Sequence, residues 1–274
     1  MKKAKIGFLY GEGEMDPALD GLRESLESSA DFEVAKVSLA EGLSWDAMAN
    51  ALQPFEVALL CPSRRVDVAK KIESLSVNSH LLSYCDFLER RNDQWWARSL
   101  LGNVFNQLLV EVLKIRDFKG PVIFLGYSPL VLPLIEVLGR FGFTDIFFLE
   151  TQETSNLSQP EFLRATKPMI NLKLSTIDST AFIQSQREYA LCFLLDKHYT
   201  TEVLEDMSYF HFLSARSTVF DMSGGSNFQY EEVKALGVHL IESSEIAAAE
   251  ERSYRAELAA YLKKRPSLKN INKA

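Results

Sequence analysis

The chain has 274 residues, of which 47% are hydrophobic and 24% charged, and carries a formal net charge of -7. That length and composition allow one large domain or two ordinary ones, and exclude collagen, a coiled coil and a disordered chain. The acidic balance excludes phosphate-backbone binding as the main activity, because nucleic acid needs a basic face.

Met1-Lys2-Lys3-Ala4-Lys5 has the charge of an export signal, but the apolar run after it, Ile6 to Tyr10, ends at Gly11-Glu12 and is too short for one. It reads instead as a strand over Lys5 to Tyr10. Asp16-Pro17 then supplies an N-cap with proline at the first helical position, and Leu19, Leu22 and Leu26 form one apolar stripe. Strands are expected at Phe32 to Ser38 and Val57 to Cys61, with helices at Trp45 to Leu52 and Val66 to Leu75. This βαβα rhythm predicts a mostly parallel sheet covered by helices.

A longer helix is expected from about Asn92 to Ile115. Beyond it, Pro121 to Leu125, Ile146 to Leu149, Met169 to Leu172 and Tyr189 to Leu195 predict the strands of a second sheet. Helices are expected between them at Leu130 to Phe141, Pro160 to Thr166 and near Asp178 to Gln184. Thr218 to Asp221 and Val238 to Ile241 read as strands around a helix whose capping box is Ser226 with Gln229. A last amphipathic helix runs from Ser244 to about Lys264. The apolar stretch Pro121 to Leu138 is interrupted by Gly126, Pro129, Pro133 and Glu136, so no membrane span is expected.

Cys61, Cys85 and Cys192 are an odd number at wide spacing in apolar sequence, which fits reduced core thiols and a cytoplasmic location. His80, His198, His211 and His239 have no second ligand at metal spacing, so no metal is expected. Trp95-Trp96 among Arg90, Arg91 and Arg98 reads as one core and one partly covered tryptophan, with a stacking surface as the sharper alternative. The basic end, Lys263 to Lys273, reads as a solvated tail.

A phosphate-loop layout stands in the second half: strand Val122 to Leu125, then Gly126-Tyr127-Ser128-Pro129-Leu130-Val131, a helix, and a strand ending at Leu149-Glu150. Upstream lies Leu101-Gly102-Asn103-Val104-Phe105-Asn106-Gln107, and downstream lie Val219-Phe220-Asp221-Met222 and the last helix. Over most of the chain this order and spacing resemble the shikimate dehydrogenase family. The resemblance implies an α/β, two-domain architecture. An N-terminal α/β substrate-type domain would span residues 1–101, a Rossmann-like dinucleotide-binding domain 102–243, and a C-terminal helix and tail, 244–274, would return to the first domain.

Each motif of that family is altered here. The serines that hold the substrate carboxylate fall at Glu14 and Asp16, and the catalytic lysine of a proline-x-lysine falls at Arg64 of Pro62-Ser63-Arg64. The catalytic aspartate falls at Asn106, and the substrate asparagine near Asp86. Arginine does not exchange a proton near neutrality, and asparagine cannot be a base. Of the glycine loop only Gly126 remains, with Ser128 and Val131 at the other two places, and Glu150 stands where an arginine meets the 2'-phosphate of NADP. A substrate-contacting glutamine becomes Glu250. An acidic ligand cleft of Glu14, Asp16, Asp86 and Glu250 opposed by Arg64 and Arg65 would suit a cation or zwitterion. The blander alternative has these groups pairing with one another or lying in solvent.

Expected from this pattern is a protein that has kept the fold and lost the reaction, binding a small molecule or a protein partner as a monomer or homodimer, with no cofactor. The alternative is a divergent NAD- or NADP-dependent oxidoreductase for an amino-bearing substrate, in which Glu150 would meet the ribose 2'-hydroxyl.

Overall fold

A computed structural model of the chain describes residues 3–72, 84–115, 120–126, 128, 130–149, 173–178, 181–182, 185, 187–195, 211–223 and 230–271. The chain divides into two compact units, Met1–Val104 with Ala248–Ala274, and Phe105–Ala247.

The first unit contains β1 (Ala4–Gly11), α1 (Pro17–Glu27), β2 (Phe32–Leu39), α2 (Trp45–Leu52), β3 (Val57–Leu60), α3 (Pro62–Lys71), β4 (Phe87–Arg91) and β5 (Gln94–Arg98). Its sheet runs β2-β1-β3-β4-β5, with β2, β1 and β3 parallel and β4 and β5 antiparallel to their neighbours. Alternation along β1 and β3 sorts the side chains to two faces. Ile6, Phe8, Tyr10, Val57 and Leu59 join α1 in one buried cluster, while Leu9, Ala58 and Leu60 join Met48, Leu52 and Val68 in the other. Both faces are covered, which is why these strands read as continuous apolar runs.

The two-strand hairpin corrects the sequence expectation of a helix starting near Asn92. Asn92 and Asp93 have φ of 49° and 62°, the paired left-handed geometry of a tight hairpin turn, so the chain reverses where the helix was expected to begin. Trp95 and Ala97 face the core and Trp96 is 41% exposed. The helix itself, α4, spans Leu101–Ile115, and α3 begins four residues earlier than the expected Val66, because Pro62 takes its first turn.

The second unit contains β6 (Val122–Leu125), α5 (Val131–Arg140), β7 (Asp145–Leu149), β8 (Lys173–Ile177), β9 (Leu191–Leu194), β10 (Thr218–Asp221), α6 (Tyr230–Ala235) and β11 (His239–Ile241). All its strands are parallel, in the order β11-β10-β9-β6-β7-β8. Counted along the chain this is the doubly wound Rossmann order, with its switch point between β6 and β9. One sheet face is lined by Phe148, Phe124, Phe193 and Phe220 from four adjacent strands, stacked with centroids 4.7–5.2 Å apart, and Phe105 of α4 meets Phe193 edge-on.

The strand at Lys173–Ile177 follows directly on the expected Met169 to Leu172, which lies outside the described residues together with the helix at Pro160 to Thr166 and the Ser226-Gln229 box. The last helix, α7 (Ser243–Ile271), passes into the first unit, where Tyr254, Leu258 and Tyr261 complete the cluster under α1. Cys61, Cys85 and Cys192 are buried free thiols. Among the described residues, no helix is long and apolar enough to cross a membrane and no three His, Cys, Asp or Glu side chains group to hold a metal.

Candidate functional site

In the first unit the candidate residues collect beyond the carboxyl ends of β1 and β3, the usual ligand edge of a parallel sheet. Asp16 is the N-cap of α1: its Oδ1 accepts the Ala18 and Leu19 N–H groups at 3.0 and 3.1 Å. Burial raises its carboxyl above the ordinary value, a rise that these amides and Arg65 oppose.

Glu14 sits in the turn after β1 and reaches across to the start of α3. Its carboxylate accepts Gly11 N–H at 2.8 Å, Ser63 N–H at 3.3 Å, Ser63 O–H at 2.5 Å and the Cys61 thiol at 2.6 Å. Burial pushes its pKa up, but these donors outweigh it and hold the carboxyl below its ordinary value. The Cys61 thiol is pushed up in turn, by burial and by donating to Glu14.

Arg64 and Arg65 are adjacent on α3 and go different ways. Arg64, buried, donates to the carbonyl of Leu39 at the end of β2 and lies 3.6 Å from Asp67. Arg65 turns inward. Its Nε donates to Leu60 O at 3.0 Å, Nη1 to the Tyr84 hydroxyl at 3.0 Å, and Nη2 to Glu250 Oε1 at 2.5 Å and the Tyr254 hydroxyl at 3.3 Å. Desolvation would lower its pKa, but Glu250 and the tyrosine oxygens raise it well above the ordinary value, so the guanidinium stays charged. Tyr254, one turn after Glu250 on α7, also donates to Glu250 at 3.0 Å.

Asp86 is wholly buried, and its two oxygens accept Leu100 N–H at 2.7 Å and Leu101 N–H at 2.9 Å, capping α4. Desolvation outweighs Arg65 and these amides and lifts its carboxyl to about 6. Of the expected acidic cleft facing two arginines, therefore, only Glu250 with Arg65 forms a direct pair. Asp16 and Asp86 cap helices, Glu14 is held by neutral donors, and Arg64 faces β2. Sequence reasoning missed Tyr84, Cys61 and Ser63 as partners. The spacing of Glu250 and Tyr254 on one helix face was the available signal.

The second unit bears on the dinucleotide. Gly126 ends β6 with φ of 86°, so it keeps the turn that the glycine frame requires. Ser128 then uses the start of α5 for itself: its carbonyl accepts Val131 N–H at 3.0 Å and its hydroxyl accepts Leu130 N–H at 3.3 Å. Val131 is fully buried, and Pro133 has no N–H. A pyrophosphate is held by such amides when they point outward, and among the described residues of this turn Leu130 and Val131 N–H are both taken by Ser128. Asn106 is exposed on α4, and Glu150 lies outside the described residues.

No family model matches the chain, and no curated protein matches it in sequence. Solved structures do match in fold. Quinate dehydrogenase from Corynebacterium glutamicum, in complex with NAD, aligns at a TM-score of 0.72 over 91% of each chain with 11% identity. Shikimate 5-dehydrogenase from Listeria monocytogenes, in complex with shikimate and NAD, aligns at 0.66 over 92% of this chain and 90% of that one with 12% identity. The 5-ketofructose reductase of Gluconobacter sp. strain CHM43 aligns at 0.66 over 91% and 90% with 11% identity. The chain thus has a shikimate dehydrogenase-like fold, and at such identities the likeness speaks for the fold alone.

Proposed function

We propose that this chain is a cytoplasmic protein that keeps the shikimate dehydrogenase-like fold without the dehydrogenase reaction, and acts by binding a small molecule or a protein partner. The observation that carries this reading is Arg64. At the position where the resemblance puts a proton-exchanging lysine stands a buried guanidinium turned to the Leu39 carbonyl and Asp67. A guanidinium keeps its proton throughout the physiological range and offers no acid/base step. The use of Leu130 and Val131 N–H groups by Ser128 supports the same reading, because it removes donors from the place where a pyrophosphate would bind.

The test is activity together with calorimetry. Purified protein is expected to oxidise neither shikimate nor quinate with NAD or NADP, and to give no binding heat with either dinucleotide. Turnover that Arg64→Ala abolishes would overturn the reading.

The competing reading is a divergent NAD- or NADP-dependent oxidoreductase. It is favoured by the intact Rossmann strand order and the left-handed Gly126, and it predicts that a dinucleotide raises the melting temperature.

A further inference from the structure

The amino ends of β1 and β3, opposite the candidate site of the first unit, bring together distant parts of the chain, and Glu56 is where they meet. Its N–H donates to Lys5 O on β1 at 2.8 Å, and its carbonyl accepts Arg90 N–H on β4 at 2.9 Å. Its carboxylate accepts Arg265 at 2.6 Å and the Tyr261 hydroxyl at 2.9 Å, both on α7. Arg265 also donates to Lys3 O at 3.1 Å, so the end of α7 lies against the start of β1. The sequence makes this corner basic: Lys2, Lys3 and Lys5 open a chain of net charge -7, and no acid follows Glu257. Lys3, Lys263 and Lys264 are exposed. The helix dipole does not account for the two lysines of α7, because its effect is confined to the last turn and the helix continues to Ile271.

Trp96 adds an apolar element to the same corner. It is exposed on the hairpin face that α7 borders, where Arg98, two residues on, pairs with Glu257. The Arg91 guanidinium lies 5.8 Å from the centroid of its ring. Lys264 stands seven residues, or two turns, beyond Glu257 and so repeats its place on the helix face, nearer the start of β1. An exposed tryptophan beside cations is the composition of a protein interface, where tryptophan and arginine recur as anchors.

We propose that this corner is a docking surface for an acidic segment of a protein partner, whose carboxylates meet Lys3, Lys263 and Lys264 and whose apolar side chain covers Trp96. Charge complementarity argues for that occupant. A chain of net negative charge that concentrates lysines at one corner attracts anions there and repels them elsewhere, which fixes both where a partner lands and which way it faces. Nucleic acid fits less well, because the exposed carboxylates of Glu33 and Asp93 stand at the same corner and oppose a continuous phosphate backbone. The surface contains no residue that the resemblance assigns to substrate or cofactor, and the inference stands whether or not the protein catalyses dehydrogenation.

The experiment titrates the full chain by calorimetry with poly-L-glutamate, with a random copolymer of glutamate and tyrosine, and with polyuridylate, at low and at physiological salt. The variants are Lys263→Glu with Lys264→Glu, Trp96→Ala, and a charge-matched control in the second unit, Lys114→Glu with Lys234→Glu, each checked for native melting. The native chain and the control are expected to bind both polypeptides, more weakly as salt rises, and the Lys263/Lys264 reversal to lose about tenfold or more in affinity. The copolymer is expected to bind more tightly than poly-L-glutamate, an advantage lost in Trp96→Ala. Absence of binding to either polypeptide overturns the proposal, as does equal weakening by the control reversal or a copolymer advantage that survives Trp96→Ala. Polyuridylate binding that exceeds that of the polypeptides and vanishes on reversal assigns the corner to nucleic acid and overturns it as well. Dehydrogenase activity in the native chain would overturn the proposed function and leave this result untouched.

Discussion

A carboxylate with no exposed surface is stable as an anion only if its bonds replace its hydration, and Asp86 is a case where they fall short. Two amides of α4 and the nearby Arg65 favour the ionised form, but desolvation is larger and sets the carboxyl at about 6, above its ordinary value of 3.8. A raised folded-state pKa means that the native protein holds this proton more tightly than the unfolded chain. The stability contributed by Asp86 is thus fully present below the ordinary carboxylate range and is lost as pH rises through about 6, a change on the order of 3 kcal/mol. Glu14, lowered by its donors, works in the opposite direction at lower pH, so the two do not overlap in sign. Between pH 4 and 6 the urea midpoint of the native protein is expected to fall relative to that of Asp86→Asn, which has no charge to gain. Parallel midpoints across this window would show that burial does not govern Asp86.

The hairpin of β4 and β5 shows which elements announce themselves in sequence and which do not. β1 and β3 were legible because strands buried on both faces are continuous apolar runs, and α1 because Asp16-Pro17 caps it. β5 was not, since Gln94-Trp95-Trp96-Ala97-Arg98 is short and its turn, Asn92-Asp93, lacks the glycine that marks a two-residue hairpin loop. Trp95 and Ala97 inward, with Gln94 and Trp96 outward, is a period of two that the following helical stretch obscured. The site divides in the same way. Chain spacing placed Arg64, Glu250 and the capping Asp16, but spacing could not tell which partners residues 49 or 185 positions apart would choose, as Ser63 with Glu14 and Arg65 with Glu250 do. At Asp93, φ of 62° strains a residue bearing Cβ, and its ion pair with Arg90 at 2.8 Å is largely solvent-exposed. Asp93→Gly should therefore raise stability by up to about 1 kcal/mol, read as a higher melting temperature. A fall of comparable size would mean that the Arg90 pair outweighs the strain.

At the scale of the whole molecule, the first unit is not closed by its own stretch of chain. Residues 3–104 build a five-stranded sheet, but the face under α1 is completed by Tyr254, Leu258 and Tyr261 of α7, which arrive from the far end of the sequence. Polar bonds hold the helix along its length: Glu250 to Arg65, Glu257 to Arg98, and Tyr261 and Arg265 to Glu56. Losing the helix would take Tyr254, Leu258 and Tyr261 out of the core, uncover the side chains of β1, β3 and α1 in their cluster, and leave the buried Arg65 without its carboxylate. Each large core side chain is worth about 3–5 kcal/mol and an unpaired buried charge a similar amount, which together exceed the ~5–15 kcal/mol that keeps an ordinary domain folded. The chain's 3 tryptophans, Trp45, Trp95 and Trp96, all lie in this unit, so their emission reports on it alone. A chain ending at Ala247 should accordingly give red-shifted tryptophan emission with no cooperative transition, while the second unit, whose six strands come wholly from residues 122–241, still melts cooperatively by circular dichroism. A tryptophan transition at the full-length midpoint would mean that the sheet folds without its returning helix, and that α7 is an attachment to the first unit rather than part of its core.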